Sequence, residues 1–217
     1  MIVRSLQEKE TLLKEVYHRV KNNLQVVTSL FDMQLARLPE GQAHTALRDA
    51  ADRVGAMALV HEKLYLTKGI SSIRLSDYIS DLAHSIMLTF HAQERGISLR
   101  LDVEDVELEM ERAITCGLII NEVVSNSLTH AFPDGRNGEI WISLHSHDRD
   151  TVELDIGDNG VGIPDGVDPR KTGTLGMRLI FSLAEEQMEG SIELVRGRGT
   201  TYRIRFKNAP VTSLTGG

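Results

Sequence analysis

Asp158-Asn159-Gly160-Val161-Gly162-Ile163-Pro164 follows a run of alternating apolar residues that predicts a buried strand. Glycines at alternate positions let the backbone approach a flat or phosphorylated ligand, and the aspartate before them offers an acceptor to an amino group. This combination suits adenine. Neither common nucleotide fingerprint is present: no glycine is followed at the right distance by Gly-Lys-Ser/Thr, and Asp165 stands where a Gly-x-Gly-x-x-Gly pattern needs its third glycine. A plain turn is the alternative for this segment alone.

Two further segments indicate a phosphate site and a metal site. Thr172-Gly173-Thr174-Leu175-Gly176-Met177-Arg178 opens a predicted helix, and a helix N-terminus that glycines leave accessible is a place for phosphates. In the segment 121–126, Glu122 and Asn126 share one helix face, where a carboxylate and an amide oxygen could hold Mg²⁺ beside a triphosphate. A solvated helix face is the alternative for that pair.

The pattern from residue 72 onward predicts an α+β domain. Strand-like runs occur at Ile97–Val103, Glu139–Ser146, Val152–Asp158, Ser191–Val195 and Thr200–Phe206. Helices are predicted from Ser76 to about Gln93, from Glu111 to Ala131 and from Leu175 to Glu186. Because apolar residues alternate along the second and third of these strands, each strand buries one face. We therefore expect a sheet that helices cover on one side only.

The first 68 residues have a helical pattern. Apolar residues recur every three or four positions over 5–38 and again from 43 to about 67, with Pro39 and Gly41 in the break between them. Two helices joined by a short loop form an antiparallel hairpin. Because a lone hairpin leaves part of its apolar stripe wet, we expect a homodimer that forms a four-helix bundle. The predicted domains are therefore 1–68 and 72–209, with 210–217 as a flexible tail.

Composition excludes several classes of protein. The 217 residues contain 24 Lys and Arg against 31 Asp and Glu, and the net charge of −7 argues against nonspecific binding to nucleic acid or to an anionic membrane. The single cysteine, Cys116, excludes an internal disulfide and fits a reducing compartment. The longest stretch without charged residues, Leu82–Gln93, is too short to span a membrane, and no signal-peptide pattern occurs at the N-terminus. We therefore expect a cytoplasmic protein that does not contact the membrane.

Taken together, the aspartate, glycine and asparagine segments resemble the nucleotide-binding fold shared by gyrase, Hsp90, MutL and histidine kinases, a Bergerat-type α/β sandwich. They occur in the family's order: an asparagine segment, an Asp-x-Gly-x-Gly segment, a lid and a Gly-x-x-Gly segment, with Gly199-Thr200-Thr201 opening the last strand. The resemblance implies that Asp158 takes the amino group of adenine, directly and through a water that Thr200 also holds. It also implies that Asn126 and Glu122 hold Mg²⁺.

The same resemblance implies roles for the remaining residues of the site. Residues 163–173 would form the lid. The chain departs from the pattern at Thr129, because histidine kinases commonly carry Lys or Arg three positions after the magnesium asparagine. The next residue, His130, is either a contact to the ligand or a cap of the helix end. The other implied nucleotide contacts are Gly160, Gly162, Gly173, Leu175 and Gly176.

The sequence of the first helix indicates which of these families the chain resembles most. Glu15-Val16-Tyr17-His18-Arg19-Val20-Lys21-Asn22-Asn23-Leu24-Gln25 is similar to the phosphoacceptor segment of the histidine kinase subfamily HisKA_2, and Arg53 and Val60–Tyr65 of the second helix agree with it. The resemblance covers roughly residues 10–207 and implies that His18 is the nucleophile. A neutral imidazole has a free lone pair near pH 7, can attack a γ-phosphorus in line, and gives a phosphoramidate of high transfer potential.

Two neighbours of His18 are candidates to assist it. Better-known kinases carry an acidic residue directly after the histidine, but this chain has Arg19 there. Glu15 lies three residues back on the same side of the helix, so we expect it to orient the imidazole and accept its proton. Asn22, one turn on, either positions a water for hydrolysing a phosphorylated partner or is a polar surface residue.

The sequence thus predicts the core of a sensor histidine kinase that binds ATP and Mg²⁺. The expected reaction transfers the γ-phosphoryl group of ATP to His18 and then to an aspartate in the receiver domain of a response regulator. Two alternatives stay open. One is a phosphotransfer adaptor that keeps the histidine but has a degenerate nucleotide fold. The other is an ATPase that uses hydrolysis as a conformational clamp, as gyrase and Hsp90 relatives do.

Overall fold

The computed structural model of the protein describes residues 2–66, 73–148, 150–164, 166–171 and 175–208. At residues 2–14, 17, 18, 42, 49, 63–66 and 73 only the backbone is described. The chain divides into two compact units, Met1–Ile70 and Ser71–Gly217. The predicted tail, 210–217, lies outside the described residues.

The first unit is a helical hairpin, as the apolar spacing predicts. Helices α1 (Ile2–Leu35) and α2 (Gln42–Leu66) are joined by residues 36–41. Pro39 in this connection prevents a continuous helix because proline has no backbone N–H to donate. The two helices pack against each other, and Lys21 Nζ lies 3.0 Å from Glu62 Oε2 across the pair. In the described part of the chain, no helix has both the length and the apolar character that crossing a membrane requires.

One side of α1 is apolar and uncovered in the single chain. Its large apolar residues with more than half of their surface exposed are Val16 (51%), Val26 (60%), Leu30 (52%) and Met33 (55%). The last three recur every three or four positions, so they share one helix face. An exposed apolar stripe on a helix is the kind of surface that a partner helix buries.

The second unit is a five-stranded sheet with helices, and the α+β class is confirmed. The strand order is β2-β4-β5-β7-β6, with β2 and β4 parallel and the other neighbours antiparallel; β1 and β3 form a separate short pair. The elements are β1 (Ile73–Arg74), α3 (Leu75–Thr89), β2 (Ile97–Val103), β3 (Glu107–Leu108), α4 (Met110–Asn126), β4 (Gly138–Ser146), β5 (Thr151–Asp158), α5 (Leu175–Ser182), β6 (Ser191–Gly197) and β7 (Gly199–Lys207).

Alternation along the strands decides which face of the sheet is covered. α4 packs on β5 and α3 packs on β2, and the apolar positions of β4 and β5 are buried beneath the helices. On the opposite face Arg203 forms an ion pair with Asp155 at 2.8 Å. The expected one-sided covering is therefore present. The buried positions are Ile140, Ile142, Leu144, Val152, Leu154 and Ile156.

Two of the predicted helices end in a wider turn. A π-helical turn at Ser127–Ala131 follows α4, and another at Leu183–Gln187 follows α5. The helix predicted to reach Gln93 ends earlier, at Thr89, because the chain then turns back toward β2 with positive φ at His91 (49°) and Gly96 (70°). The first π-helical turn is the one that shapes the functional site.

Candidate functional site

One pocket gathers residues from α4, the π-helical turn after it, the end of β5, α5 and β7. The sequence predicts Asn126, His130, Asp158, Gly162 and Thr200 as site residues, and all of them line this pocket. Apolar walls with a few polar groups are typical of small-molecule sites. The full lining is Val123, Asn126, Ser127, His130, Ala131, Asp158, Gly162, Ile163, Met177, Thr200 and Tyr202.

Asp158 is the buried acid of the pocket, with 3% of its surface exposed. Its Oδ2 accepts a hydrogen bond from Ser127 Oγ at 2.7 Å, and its Oδ1 accepts one from the Gly160 backbone N–H at 2.9 Å. Thr200 is its direct neighbour across the β5-β7 pair. A buried carboxylate needs hydrogen bonds in place of water, and these two donors use only part of its roughly four acceptor positions. The remaining acceptor capacity can serve an amino group of a ligand.

Glycines allow the close approach of three backbone segments around Asp158. A Cβ atom on Gly160 would clash with the carbonyl oxygen of Ala131, and one on Gly199 would clash with that of Asp158. Gly199 and Gly162 also have positive φ values of 90° and 74°, which residues with a side chain rarely adopt. The glycine spacing seen in the sequence is thus required by the packing of the loop after β5 against the π-helical turn and β7.

Ser127 is a site residue that sequence reasoning missed. It is 5% exposed, and it is the first residue of the π-helical turn. Such turns are rare and frequently occur at functional sites. In the sequence Ser127 is one of several polar residues between Ser125 and His130, and nothing in the sequence indicates that it meets Asp158.

The negative charge of Asp158 also affects Tyr202, a second pocket residue that the sequence did not indicate. Burial, and to a lesser degree the Asp158 carboxylate, raises the pKa of the Tyr202 phenol to about 12. The phenol therefore keeps its proton at neutral pH. The same negative potential favours a ligand that presents a hydrogen-bond donor to this part of the pocket and disfavours one that presents an acceptor.

Of the two residues predicted to hold Mg²⁺, Asn126 lines the pocket, and Glu122 lies outside its lining. Among the described residues, the Asn126 side-chain Nδ2 is buried without a hydrogen-bond partner. This amide nitrogen is a donor and does not coordinate a cation, so it would pair with an acceptor such as a phosphate oxygen, while Oδ1 is the atom that could take Mg²⁺. Glu122 lies one turn earlier on α4 with 7% of its surface exposed. Nowhere in the described ranges do three or more His, Cys, Asp or Glu side chains form a metal site by themselves. Mg²⁺ usually takes one or two protein oxygens together with phosphate oxygens and waters, so the pair would need a bound triphosphate.

His130 lies at the pocket, as one of its two interpretations requires. It is exposed, it belongs to the π-helical turn, and within the described part of the chain its ring makes no hydrogen bond that would cap the helix end. Its neighbour Thr129 donates to the Ser125 carbonyl oxygen at 2.7 Å. His130 thus lines the pocket and also lies in the last turn of the helical segment, and the Thr129 hydroxyl is used within the helix.

The second glycine segment is described only in part. Gly173 lies outside the described residues. Leu175, the first residue of α5, is 58% exposed, and Gly176 is buried. Met177, which follows, lines the pocket. Of this segment, the described residues therefore bring the start of α5 to the site.

Arginines fasten the loop that was predicted to be a lid. Arg196 donates hydrogen bonds to the carbonyl oxygens of Pro164 and Val167, at 3.1 and 2.5 Å. Arg170 donates to both carboxylate oxygens of Glu185, at 3.0 and 2.7 Å. These described parts of the loop are thereby anchored to the rest of the unit.

The predicted acceptor region lies on α1. The backbone of His18 is helical, and its side chain lies outside the described part of the structure. The Glu15 carboxylate accepts hydrogen bonds at Oε1 from Arg19 Nε (3.0 Å) and Nη2 (2.8 Å) in an exposed ion pair. Asn22, one turn beyond His18, is exposed. The sequence did not predict that Glu15 would be engaged by Arg19, although their spacing of four residues allows it.

Two family models match the chain, one from the first unit into the start of the second and the other within the second unit. Residues 15–90 match HisKA_2, described as histidine kinase. Residues 111–210 match HATPase_c, described as histidine kinase-, DNA gyrase B-, and HSP90-like ATPase. The first match contains the predicted acceptor segment, and the second contains every residue of the pocket.

Individual relatives agree with these matches. The chain is 30% identical to the sensor histidine kinase PdtaS of Mycobacterium tuberculosis over 93% of its own length and 40% of that protein. It is 28% identical to the blue-light-activated histidine kinase 2 of Erythrobacter litoralis over 91% of its own length and 57% of that protein. The solved histidine kinase domain of the Erythrobacter litoralis EL346 blue-light activated histidine kinase has the same fold, with a TM-score of 0.66 at 21% identity over 93% of this chain and 94% of that one.

Proposed function

Because this chain belongs to the sensor histidine kinases and joins a HisKA_2 segment to a HATPase_c segment, we propose that it phosphorylates its own His18 from Mg-ATP. The phosphoryl group then passes to an aspartate in the receiver domain of a response regulator. The chain spans 40% of the length of the first of these relatives and 57% of the second.

The observation that carries this proposal is the buried Asp158 carboxylate, held by Ser127 and Gly160 at the pocket. An acceptor fixed in this way recognises the amino group of adenine. The apolar side chains of Val123, Ile163 and Met177 line the same pocket and would pack against a flat base. A degenerate nucleotide fold would have no reason to keep a buried charge together with the glycines around it, which argues against the phosphotransfer adaptor.

The proposed chemistry relies on positioning. Asn126 and Glu122 would hold Mg²⁺, which supplies charge neutralisation at the β- and γ-phosphates when bound. The lone pair of one His18 ring nitrogen would form the bond to the γ-phosphorus as the bond to the bridging oxygen of ADP breaks. Glu15 would accept the proton from the other ring nitrogen. Phosphoryl transfer needs little covalent help from the protein, so most of the rate would come from orienting the imidazole in line with the γ-phosphorus.

The proposal includes a homodimer through the first unit. The exposed apolar residues of α1, among them Val26, Leu30 and Met33, support it because they would be buried in a four-helix bundle of two hairpins. The closed symmetry of such a dimer would place two copies of His18 on one bundle.

Labelling with γ-labelled ATP and Mg²⁺ tests the proposed function. We expect a label on the protein that acid removes and alkali leaves in place, because a phosphoramidate is labile in acid. Release of inorganic phosphate with no protein-bound label would instead support the ATPase clamp. Label that arrives only from a second phosphorylated protein would support the adaptor.

Glu15→Gln is expected to slow autophosphorylation at least about tenfold, a floor below the ~10²–10⁴-fold that a general base typically provides. Glutamine keeps the size and helix propensity of glutamate but cannot accept the proton. The initial rate of labelling at saturating Mg-ATP measures the effect, with ATP affinity measured separately by titration.

Glu40→Gln is the matched control, since Glu40 is an exposed glutamate in the connection between α1 and α2. It should label at the wild-type rate. If Glu15→Gln also labels at that rate, Glu15 serves only as the ion-pair partner of Arg19, and the base lies elsewhere or proton removal is not limiting.

A further inference from the structure

Ser127 links the end of α4 to the acid that would recognise the base. We propose that Ser127 is a positioning residue that sets the preference of the pocket for adenine over guanine nucleotides, by fixing the Asp158 carboxylate in one orientation. The inference rests on the proposed function, because it assumes that the pocket binds ATP.

The hydrogen bond between the two residues has a fixed direction. An ionised carboxylate can only accept, so the Ser127 hydroxyl must donate to Asp158 Oδ2 over the observed 2.7 Å. Both residues are buried, with 5% and 3% of their surfaces exposed, and hydrogen bonds to a charged group are the strong ones. Because Gly160 N–H holds the other carboxylate oxygen, the plane of the carboxylate is determined at both ends.

Ser127 differs from Thr129, which belongs to the same π-helical turn, in what its hydroxyl bonds. Thr129 donates to the carbonyl oxygen four residues earlier, at 2.7 Å, which is the usual local partner of such a side chain. Ser127 instead reaches an acid 31 residues away in the chain. It stands at the first position of the π-helical turn and lines the pocket. Its hydroxyl is therefore committed to the site rather than to the helix.

A fixed acceptor distinguishes the two purines. Adenine presents an amino donor at its six-position, whereas guanine presents a carbonyl oxygen there, which a carboxylate repels. Without the Ser127 donor, Oδ2 would be free to turn or to take a water, and a water can donate to guanine's oxygen as readily as it accepts from adenine's amino group. Loss of the hydroxyl should therefore reduce selectivity, because selectivity depends on leaving the wrong ligand unpaired.

Titration of the full chain with Mg-ATP and with Mg-GTP tests this role. In Ser127→Ala we expect the dissociation constant for ATP to rise about tenfold while that for GTP changes less than about threefold, so the ratio of the two falls. Ser127→Thr retains a donor and should keep the wild-type ratio. Thr115→Val removes a buried hydroxyl from α4, outside the pocket lining, and should also keep the ratio.

The outcomes separate this inference from the proposed function. Wild-type protein that does not bind ATP overturns both. Wild-type protein that prefers ATP, with Ser127→Ala showing an unchanged ratio or an equal loss for both nucleotides, overturns only the positioning role and leaves Ser127 as a structural residue. If thermal melting shows that Ser127→Ala is unfolded, Ser127→Cys, which has similar size and a weak donor, must show the reduced ratio for the inference to stand.

Discussion

Replacing His18 by glutamine is expected to abolish the covalent label from γ-labelled ATP while the affinity for ATP stays within about twofold. Glutamine is polar and compatible with the helix α1, but its amide nitrogen has no free lone pair for attack on phosphorus. The pocket that holds Asp158 belongs to the other compact unit of the chain, so the substitution should leave nucleotide binding intact. Protein-bound label after an alkaline quench and a direct ATP titration give the two readouts.

His44→Gln is the matched control, because His44 is a second histidine in the same hairpin, on α2. It should label like the wild type. Label that persists in the His18→Gln protein would place the acceptor at another residue. If the label is lost completely from that protein, a change in its ATP affinity alone would not account for the loss.

The architecture of the second unit could be predicted from the sequence because one-sided burial leaves a direct trace. Ile140, Ile142 and Leu144 alternate with partly exposed residues, and the same positions are fully buried in β4. The parallel pairing of β2 with β4 leaves no such trace, since it depends on how the intervening helix folds back across the sheet. The early end of α3 was missed because the apolar period continues to Phe90 while the backbone already turns at His91.

The pocket was predictable only where a residue type is constrained by its own backbone or charge. Gly160 and Gly162 could be recognised because few other residues can occupy their positions. Asp158 could be recognised because a carboxylate at the end of a buried strand requires hydrogen-bond partners. Ser127 has no such mark. Its role comes from a π-helical turn that a search for a 3.6-residue period cannot see and from a contact between distant parts of the chain. The ion pair of Glu15 with Arg19 shows the same limit on α1, where spacing permits several partners for one carboxylate.

Asp158→Asn is expected to weaken ATP binding by roughly 10- to 150-fold, which corresponds to the ~1.5–3 kcal/mol of a hydrogen bond to a charged group. Both carboxylate oxygens accept hydrogen bonds in the structure, one from Ser127 Oγ and one from Gly160 N–H. Asparagine has a single acceptor oxygen, so its amide NH₂ must face one of these two donors or the ligand. The Gly160 N–H cannot reverse its direction, whereas the Ser127 hydroxyl can rotate to accept. We therefore expect the asparagine oxygen to stay with Gly160 and the NH₂ group to point toward Ser127.

In that arrangement the pocket loses both its negative charge and an acceptor for adenine, so the loss of binding affinity should be larger for ATP than for GTP. The same substitution should remove autophosphorylation at low ATP concentration. Asp155→Asn is the matched control, because Asp155 is a carboxylate on the same strand whose ion pair with Arg203 lies on the opposite face of the sheet. Calorimetric titration of both variants with ATP, alongside thermal melting to confirm that each is folded, measures the effect. A folded Asp158→Asn protein that binds ATP as tightly as the Asp155→Asn control would show that this carboxylate does not recognise the base, and the adenine site would have to be sought among the other polar residues of the pocket.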